Sequence, residues 1–404
     1  MIALLIFTAF QAAAMPPHPG NLNPSGRERP PAPLDRQTPL YQSLMRSSEV
    51  SRISASSPAT GTVKVLVILA DFGAEVATAP PVVFTDKNST DFGGKSGFPA
   101  FISLSALFFL FTLKKWKWIL PLSAYFIVLS SCPSSGGRID YGDPLYFNTS
   151  KSVYEQILEK GTGLTMTKYY SDMSKDTLNL TFDVFGPYRV SKGWQYYGEN
   201  DSNGFDMYPG KFVGEAVDLA EQDGVDFSDY TNVEGSLPTV IVVHAGQGEE
   251  LTRVEESIWS HNWSLSEAEA YGDGSGARYY DGVSINNYTL QPEYSKTPGI
   301  PTIGVFCHEF GHVLGLPDLY DTTLETNGVG YWSLMGSGSW GSGYGEDPSP
   351  LLAWERDRIG GTGWVKISEL TSNATNQNIE NIEHTDREAF KITLGNSQYL
   401  LLEG

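Results

Sequence analysis

Hydrophobic and polar positions alternate along the chain in two different rhythms. Residues 61–72 are apolar and β-branched and end at Asp71, which predicts a strand. Residues 177–184 predict a second strand, and residues 238–244 a third, whose unbroken apolar run marks it as central. Residues 396–403 predict another near the end of the chain. Between them, residues 152–160 have a helical pattern, and residues 212–222 form an amphipathic helical stripe. Residues 303–316 are apolar enough to be a buried helix, and 351–356 follow Pro350 as a further helix. No internal repeat interrupts this succession, so the pattern points to an α+β domain.

The buried helix carries the chemistry. Residues 308–318 read His-Glu-Phe-Gly-His-Val-Leu-Gly-Leu-Pro-Asp. On a helix, His308 and His312 stand about 40° apart around the axis and about 6 Å apart along it, so both imidazoles can face one metal ion. Glu309 is turned about 100° from His308. That suits a group that takes a proton from an attacking water and does not suit a ligand. Gly315 comes one turn after His312, where a left-handed residue would stop the helix, and Pro317 prevents its continuation. The chain then turns back, and Asp318 becomes the third ligand. Two imidazoles, one carboxylate and an open position describe a catalytic zinc site, not a closed structural one. Glu355, on the following helix, competes with Asp318 as third ligand in the manner of a downstream helical glutamate. The Gly315 turn and Pro317 favour Asp318. Cys307 points away from the His308/His312 face and is expected to be a small buried residue.

These residues, together with Gly-Tyr-Trp-Ser-Leu-Met-Gly-Ser-Gly-Ser-Trp at 330–340, resemble the immune inhibitor A family of secreted metallopeptidases. So do Ile-Val-Val-His-Ala-Gly-Gln-Gly-Glu-Glu at 241–250, Ile-Trp-Ser-His-Asn-Trp at 258–263 and the entry strand at 63–72. The resemblance implies a zinc endopeptidase with a zincin- or metzincin-like domain: a twisted mixed sheet, an active-site helix and a C-terminal subdomain. It implies that His308, His312 and Asp318 bind zinc, that Glu309 is the general base, and that Met335 sits in a tight turn beneath the metal. A zinc-bound water, its pKa lowered to about 7, would be activated by Glu309 and attack the scissile carbonyl. Tyr331, Tyr344 and His244 are the candidate oxyanion donors, and His261 has a family-like setting.

Composition narrows the partners. The chain has 404 residues, 40% of them hydrophobic and 18% charged, which fits a folded protein. With 47 acidic and 27 basic residues its formal net charge is −20, which argues against nucleic-acid binding and suits a secreted enzyme acting on extracellular protein. The acidity is compatible with calcium as well as zinc. The acidic stretch 226–235 is too degenerate to assign to calcium. Two cysteines, Cys132 and Cys307, are expected to stay unpaired.

The N-terminal apolar run ending in Ala12-Ala13-Ala14 resembles a signal peptide, and a Pro- and Ser-rich stretch follows it. Residues 101–132 are two apolar runs around Lys-Lys-Trp-Lys-Trp and look foreign to a soluble peptidase. They read as a membrane anchor, a gene-model artefact or an insertion. The chain thus divides into a leader at 1–14, a linker or propeptide remnant at 15–60, and a catalytic domain at 61–404. That domain carries a hydrophobic insertion at about 93–138 and is expected to be C-terminally truncated. The rival to a secreted enzyme is a membrane-anchored or inactive surface-binding module on the same fold.

Overall fold

The computed structural model describes residues 13–14, 59–73, 146–202, 204–231, 239–274, 276–321, 326–371, 379, 388–395 and 398–404. The chain divides into a unit of Met1–Glu75 with Tyr141–Gly404 and a second unit, Val76–Asp140. The second unit, with the expected insertion, its apolar runs and Cys132, lies outside the described residues. So does the expected leader, apart from Ala13 and Ala14.

In chain order the first unit holds β1 (Ala13–Ala14), β2 (Gly61–Asp71), α1 (Lys151–Glu155), α2 (Met166–Ser174), β3 (Leu178–Arg189), α3 (Trp194–Gly198) and α4 (Pro209–Gln222). It continues with β4 (Val240–His244), α5 (Glu249–Thr252), β5 (His261–Ser264), α6 (Leu265–Tyr271), β6 (Arg278–Tyr280), β7 (Val283–Ile285) and β8 (Asn287–Pro292). The last elements are α7 (Gly304–Val313), α8 (Ala353–Gly360), β9 (Lys366–Glu369), β10 (Glu388–Gly395) and β11 (Gln398–Leu402).

Six strands form the main sheet in the order β1-β5-β8-β4-β2-β3. β3, β2, β4 and β8 run parallel, whereas β5 is antiparallel to β8 and β1 antiparallel to β5. The sheet is therefore mixed, in an α+β setting. β2 and β4 lie in its interior and are buried on both faces, which explains their unbroken apolar runs. The alternation of the pleat splits their side chains. Val65, Val67, Leu69, Ile241 and Val243 pack on one face with α2 and α7. Leu66, Ile68, Ala70, Val240 and Val242 pack on the other with Phe212, Val213, Ala216 and Val217 of α4. Each fully buried aliphatic side chain of these layers contributes about 1.5–3 kcal/mol.

The expected helix at 152–160 is α-helical only as far as Glu155; Gln156–Lys160 widens into a π turn. Gly161 explains this. Its N–H bonds the Gln156 carbonyl five residues back at 2.8 Å, and a Cβ there would meet that oxygen at 2.6 Å. A second sheet, β11-β10-β9, follows α8, and β6 and β7 pair as a short antiparallel hairpin. Among the described residues no helix is long and apolar enough to cross a membrane.

Candidate metal centre

α7 is buried along its whole length, from Gly304 to Val313. Its start is held by the Gly304 N–H donating to Gly345 O at 2.9 Å, and its middle by the Tyr170 hydroxyl donating to Cys307 O at 2.6 Å. Cys307 is a buried free thiol that burial pushes well above its ordinary pKa, in keeping with a packing role. The helix ends as its sequence anticipates. Gly315 takes φ +95°, and the Leu316 N–H closes onto Gly311 O at 3.0 Å. The return segment is then clamped, with the Leu319 N–H donating to Met335 O at 2.8 Å and the Val329 N–H to Leu319 O at 3.0 Å. This clamp carries Asp318 back over the two histidines.

The result is a tight triangle. His308 Nε2 and His312 Nε2 lie 3.2 Å apart, and Asp318 Oδ1 is 3.2 Å from the first and 3.3 Å from the second. A tetrahedral ion with bonds of about 2.0–2.1 Å holds its ligands about 3.3 Å apart. The outer nitrogens explain which ring atoms face inward. His308 Nδ1 donates to Leu334 O at 3.0 Å and His312 Nδ1 to Leu316 O at 2.8 Å. Carbonyls can only accept, so the ring protons are committed there and both Nε2 atoms face Asp318 with lone pairs. Three electron-rich atoms converge on one point, and they fit a cation between them. Among the described residues no other group of three His, Cys, Asp or Glu side chains brings donor atoms within 4.8 Å of one another.

Glu309 is fully buried, and among the described residues neither carboxylate oxygen has a hydrogen-bond partner. Burial pushes its carboxyl well above the ordinary value, reinforced by the charges of Asp318 and Glu250. A buried carboxylate left without a donor is costly unless something it serves is meant to approach.

Glu355 takes a different role from the competing ligand weighed above. It is fully buried, but Oε1 accepts from Ser333 Oγ at 2.7 Å and Oε2 from the Leu352 N–H, which caps α8. Ser333 Oγ in turn accepts from the Met335 N–H at 3.0 Å. Glu355 therefore braces the 333–335 turn, whose Leu334 carbonyl orients His308. Met335 lies directly against α7: a Cβ on Gly311 would sit 2.5 Å from its sulfur. The position thus needs glycine for close approach.

The other singled-out residues are not among the three that gather their donor atoms. His244 is buried at the end of β4, its Nδ1 donates to Ala245 O at 2.9 Å, and burial drives its pKa down to about 4. His261, on β5, donates from Nδ1 to Trp259 O at 2.7 Å and meets the Tyr288 hydroxyl at 3.1 Å; burial likewise lowers it to about 4. Tyr331 is half exposed, and the Tyr344 ring lies under Lys296 Nζ at 4.7 Å. Sequence reasoning passed over Tyr320. Its ring stands 6.5 Å from that of His308, and its hydroxyl bonds Asp318. Its position two residues beyond Asp318 was the available signal.

Residues 140–365 match the immune inhibitor A peptidase M6 catalytic domain. The chain is 30% identical over 272 residues to the pre-pro-metalloprotease PrtV of Vibrio cholerae serotype O1, a match that covers 58% of the chain and 29% of PrtV. It is 27% identical over 282 residues to immune inhibitor A of Bacillus thuringiensis subsp. alesti, covering 60% of the chain and 40% of that protein. The matched part therefore spans less than half the length of these relatives. The family match runs over more than half of the chain and contains the whole His308/His312/Asp318 triangle, so the chain belongs to the immune inhibitor A (M6) peptidase family.

Proposed function

We propose that the chain is a secreted zinc endopeptidase of metzincin type that hydrolyses peptide bonds of extracellular proteins. His308, His312 and Asp318 hold the ion, and Glu309 is the general base. The observation that carries this reading is the triangle of donor atoms at 3.2–3.3 Å with an unpartnered buried carboxylate on the same helix. Zinc rather than a harder cation follows from the donor set, two imidazoles and one carboxylate. When bound, zinc supplies Lewis-acid polarisation of the scissile carbonyl and of the attacking water. The chain's own groups do the rest. Glu309 takes the water's proton and returns it to the leaving nitrogen. Leu334 O and Leu316 O keep the histidine Nε2 atoms turned inward. Tyr320 orients Asp318.

Two measurements on the purified chain and its Glu309→Ala variant test the proposal: zinc content, and cleavage of unfolded casein. The expected result is about one zinc per chain in both and cleavage by the parent alone, abolished by chelator. Zinc without cleavage in the parent would favour a binding module on the same fold. Absence of zinc from the parent would overturn the metal assignment.

A further inference from the structure

Asp318 differs from the two histidines in what it can offer an ion. Each imidazole turns one nitrogen inward, because its other nitrogen is bound to a backbone carbonyl. A carboxylate has two oxygens, and both can reach the same metal. Only Oδ1 lies at the centre of the triangle, 3.2 Å from His308 Nε2 and 3.3 Å from His312 Nε2. An ion that drew in Oδ2 as well would lose the open position that separates a catalytic zinc site from a closed one.

Tyr320 stands where it can prevent this. Its hydroxyl is hydrogen-bonded to the Asp318 carboxylate, and its ring lies 6.5 Å from the His308 ring at an interplanar angle of 33°. A phenol donates to a carboxylate, which can only accept. Among the described residues no hydrogen bond reaches Oδ1, so the Tyr320 bond falls on the other oxygen, Oδ2. The backbone around Tyr320 is fixed on both sides. On one side Leu319 is held through its N–H by Met335 O at 2.8 Å and through its carbonyl by the Val329 N–H at 3.0 Å. On the other, Asp321 Oδ2 accepts from the Thr326 N–H at 2.8 Å and from Thr326 Oγ1 at 2.9 Å. Gly328, at φ +53°, closes the arrangement, for a Cβ there would lie 2.7 Å from Tyr320 Cα. The hydroxyl is thus carried by a braced segment.

We infer that Tyr320 is a positioning residue that keeps Asp318 a one-oxygen ligand and so keeps the fourth position of the ion open for water. Tyr320 does for Asp318 what the Leu334 and Leu316 carbonyls do for the histidines: it occupies the outer atom so that the inner one alone faces the metal. The inference rests on the zinc reading proposed above and adds to it how the site stays open.

Cobalt(II) in place of zinc gives the test on the full chain, because four-coordinate cobalt(II) absorbs visible light strongly and five-coordinate cobalt(II) weakly. The parent should show the strong bands. Tyr320→Phe, which removes one oxygen, should show weak ones and bind cobalt about 10–100-fold less tightly. On casein it should lose kcat with little change in KM. A folded Tyr320→Phe with the parent's spectrum and affinity overturns the inference, even if its melting midpoint is lower, since a purely structural tyrosine would behave in that way. Should Tyr320→Phe fail to fold, a crystal structure of the zinc-loaded parent decides. Oδ1 alone on the ion supports the inference, and both oxygens within bonding distance overturn it. A parent that takes up neither metal overturns the zinc reading together with this one, whereas a four-coordinate parent with an unchanged variant overturns this one alone.

Discussion

Two polar clusters of this chain are held by opposite means. In the His308/His312/Asp318 triangle, two of three donors come from consecutive turns of one rigid helix, and the outer ring nitrogens are already satisfied by Leu334 and Leu316 carbonyls. In the Asn200/Asp206/Glu249 cluster every side chain comes from a loop or a helix start. Its fixing bonds run from Asn200 Nδ2 to Glu249 Oε1 and from the Trp259 N–H to Asp206 Oδ2, each at 3.0 Å, so tertiary contacts set the second cluster where local spacing sets the first.

A cross-substitution breaks the comparison most sharply. Asp318→Ala should lower zinc affinity more than about 100-fold, since loss of a merely supporting partner already costs about 10–100-fold. Glu249→Gln should leave zinc affinity untouched. Zinc retention after dialysis of the two variants decides this, and loss of the ion from Glu249→Gln would mean that the clusters are one coupled unit.

Glu355 gives the next largest effect. As the brace of the 333–335 turn, it holds Ser333 and the Leu352 N–H. Glu355→Ala leaves those groups without their partner, at about 1–3 kcal/mol of stability, and loosens the carbonyl that orients His308, weakening zinc binding by about 10–100-fold. Glu355→Gln keeps much of the shape and should recover most of the affinity. A third metal ligand would not be rescued in this way, so zinc titration of the pair distinguishes brace from ligand.

How much of this was legible beforehand follows from where the contacts lie. The triangle was legible because its spacing is local: one helix sets His308 against His312, and Gly315 and Pro317 announce the turn that returns Asp318. The interior strands β2 and β4 were legible because burial on both faces leaves an unbroken apolar run. The role of Glu355 was not, because its oxygens are claimed by Ser333, twenty-two residues upstream, and by a helix-start N–H. Its spacing after Pro350 suited a ligand as well as a cap. The Asn200 cluster left no pattern at all, since its members come from segments joined only by tertiary hydrogen bonds. The π turn at Gln156–Lys160 escaped for a similar reason, its register being set by the close approach that Gly161 permits.

The comparison also predicts a dependence on pH. Burial raises Glu249 to about 8, Glu250 to about 7 and Glu355 to about 8. The ordinary value near 4.5 applies once the chain unfolds. Between those values the folded state holds more protons than the unfolded one, so stability falls as pH rises. The contribution is fully present below about pH 4.5 and is lost as pH passes through about 7 to 8. Glu249→Gln should flatten the part of this slope that belongs to Glu249 and should leave the Glu355 part alone. Melting curves of the parent and this variant from pH 5 to 9 check both; a slope unaffected by the substitution would assign all of it to groups outside the cluster.

The smallest effect concerns the acidic stretch 226–235, which is too degenerate to assign from sequence. The structure describes its first six residues, and there Asp226 is occupied: Oδ1 accepts from the Ser228 N–H at 3.0 Å and from Ser228 Oγ at 2.6 Å, capping a short 3-10 turn. Those bonds lower its carboxyl below the ordinary range without any ion. Asp226→Ala should therefore leave zinc retention after dialysis and the pH dependence of melting unchanged, while Glu249→Gln alters the second. Acidic residues stand in the 226–231 turn as well as in the 249–256 segment. What sets the second apart is the buried Glu249 Oε2, which has no hydrogen-bond partner among the described residues.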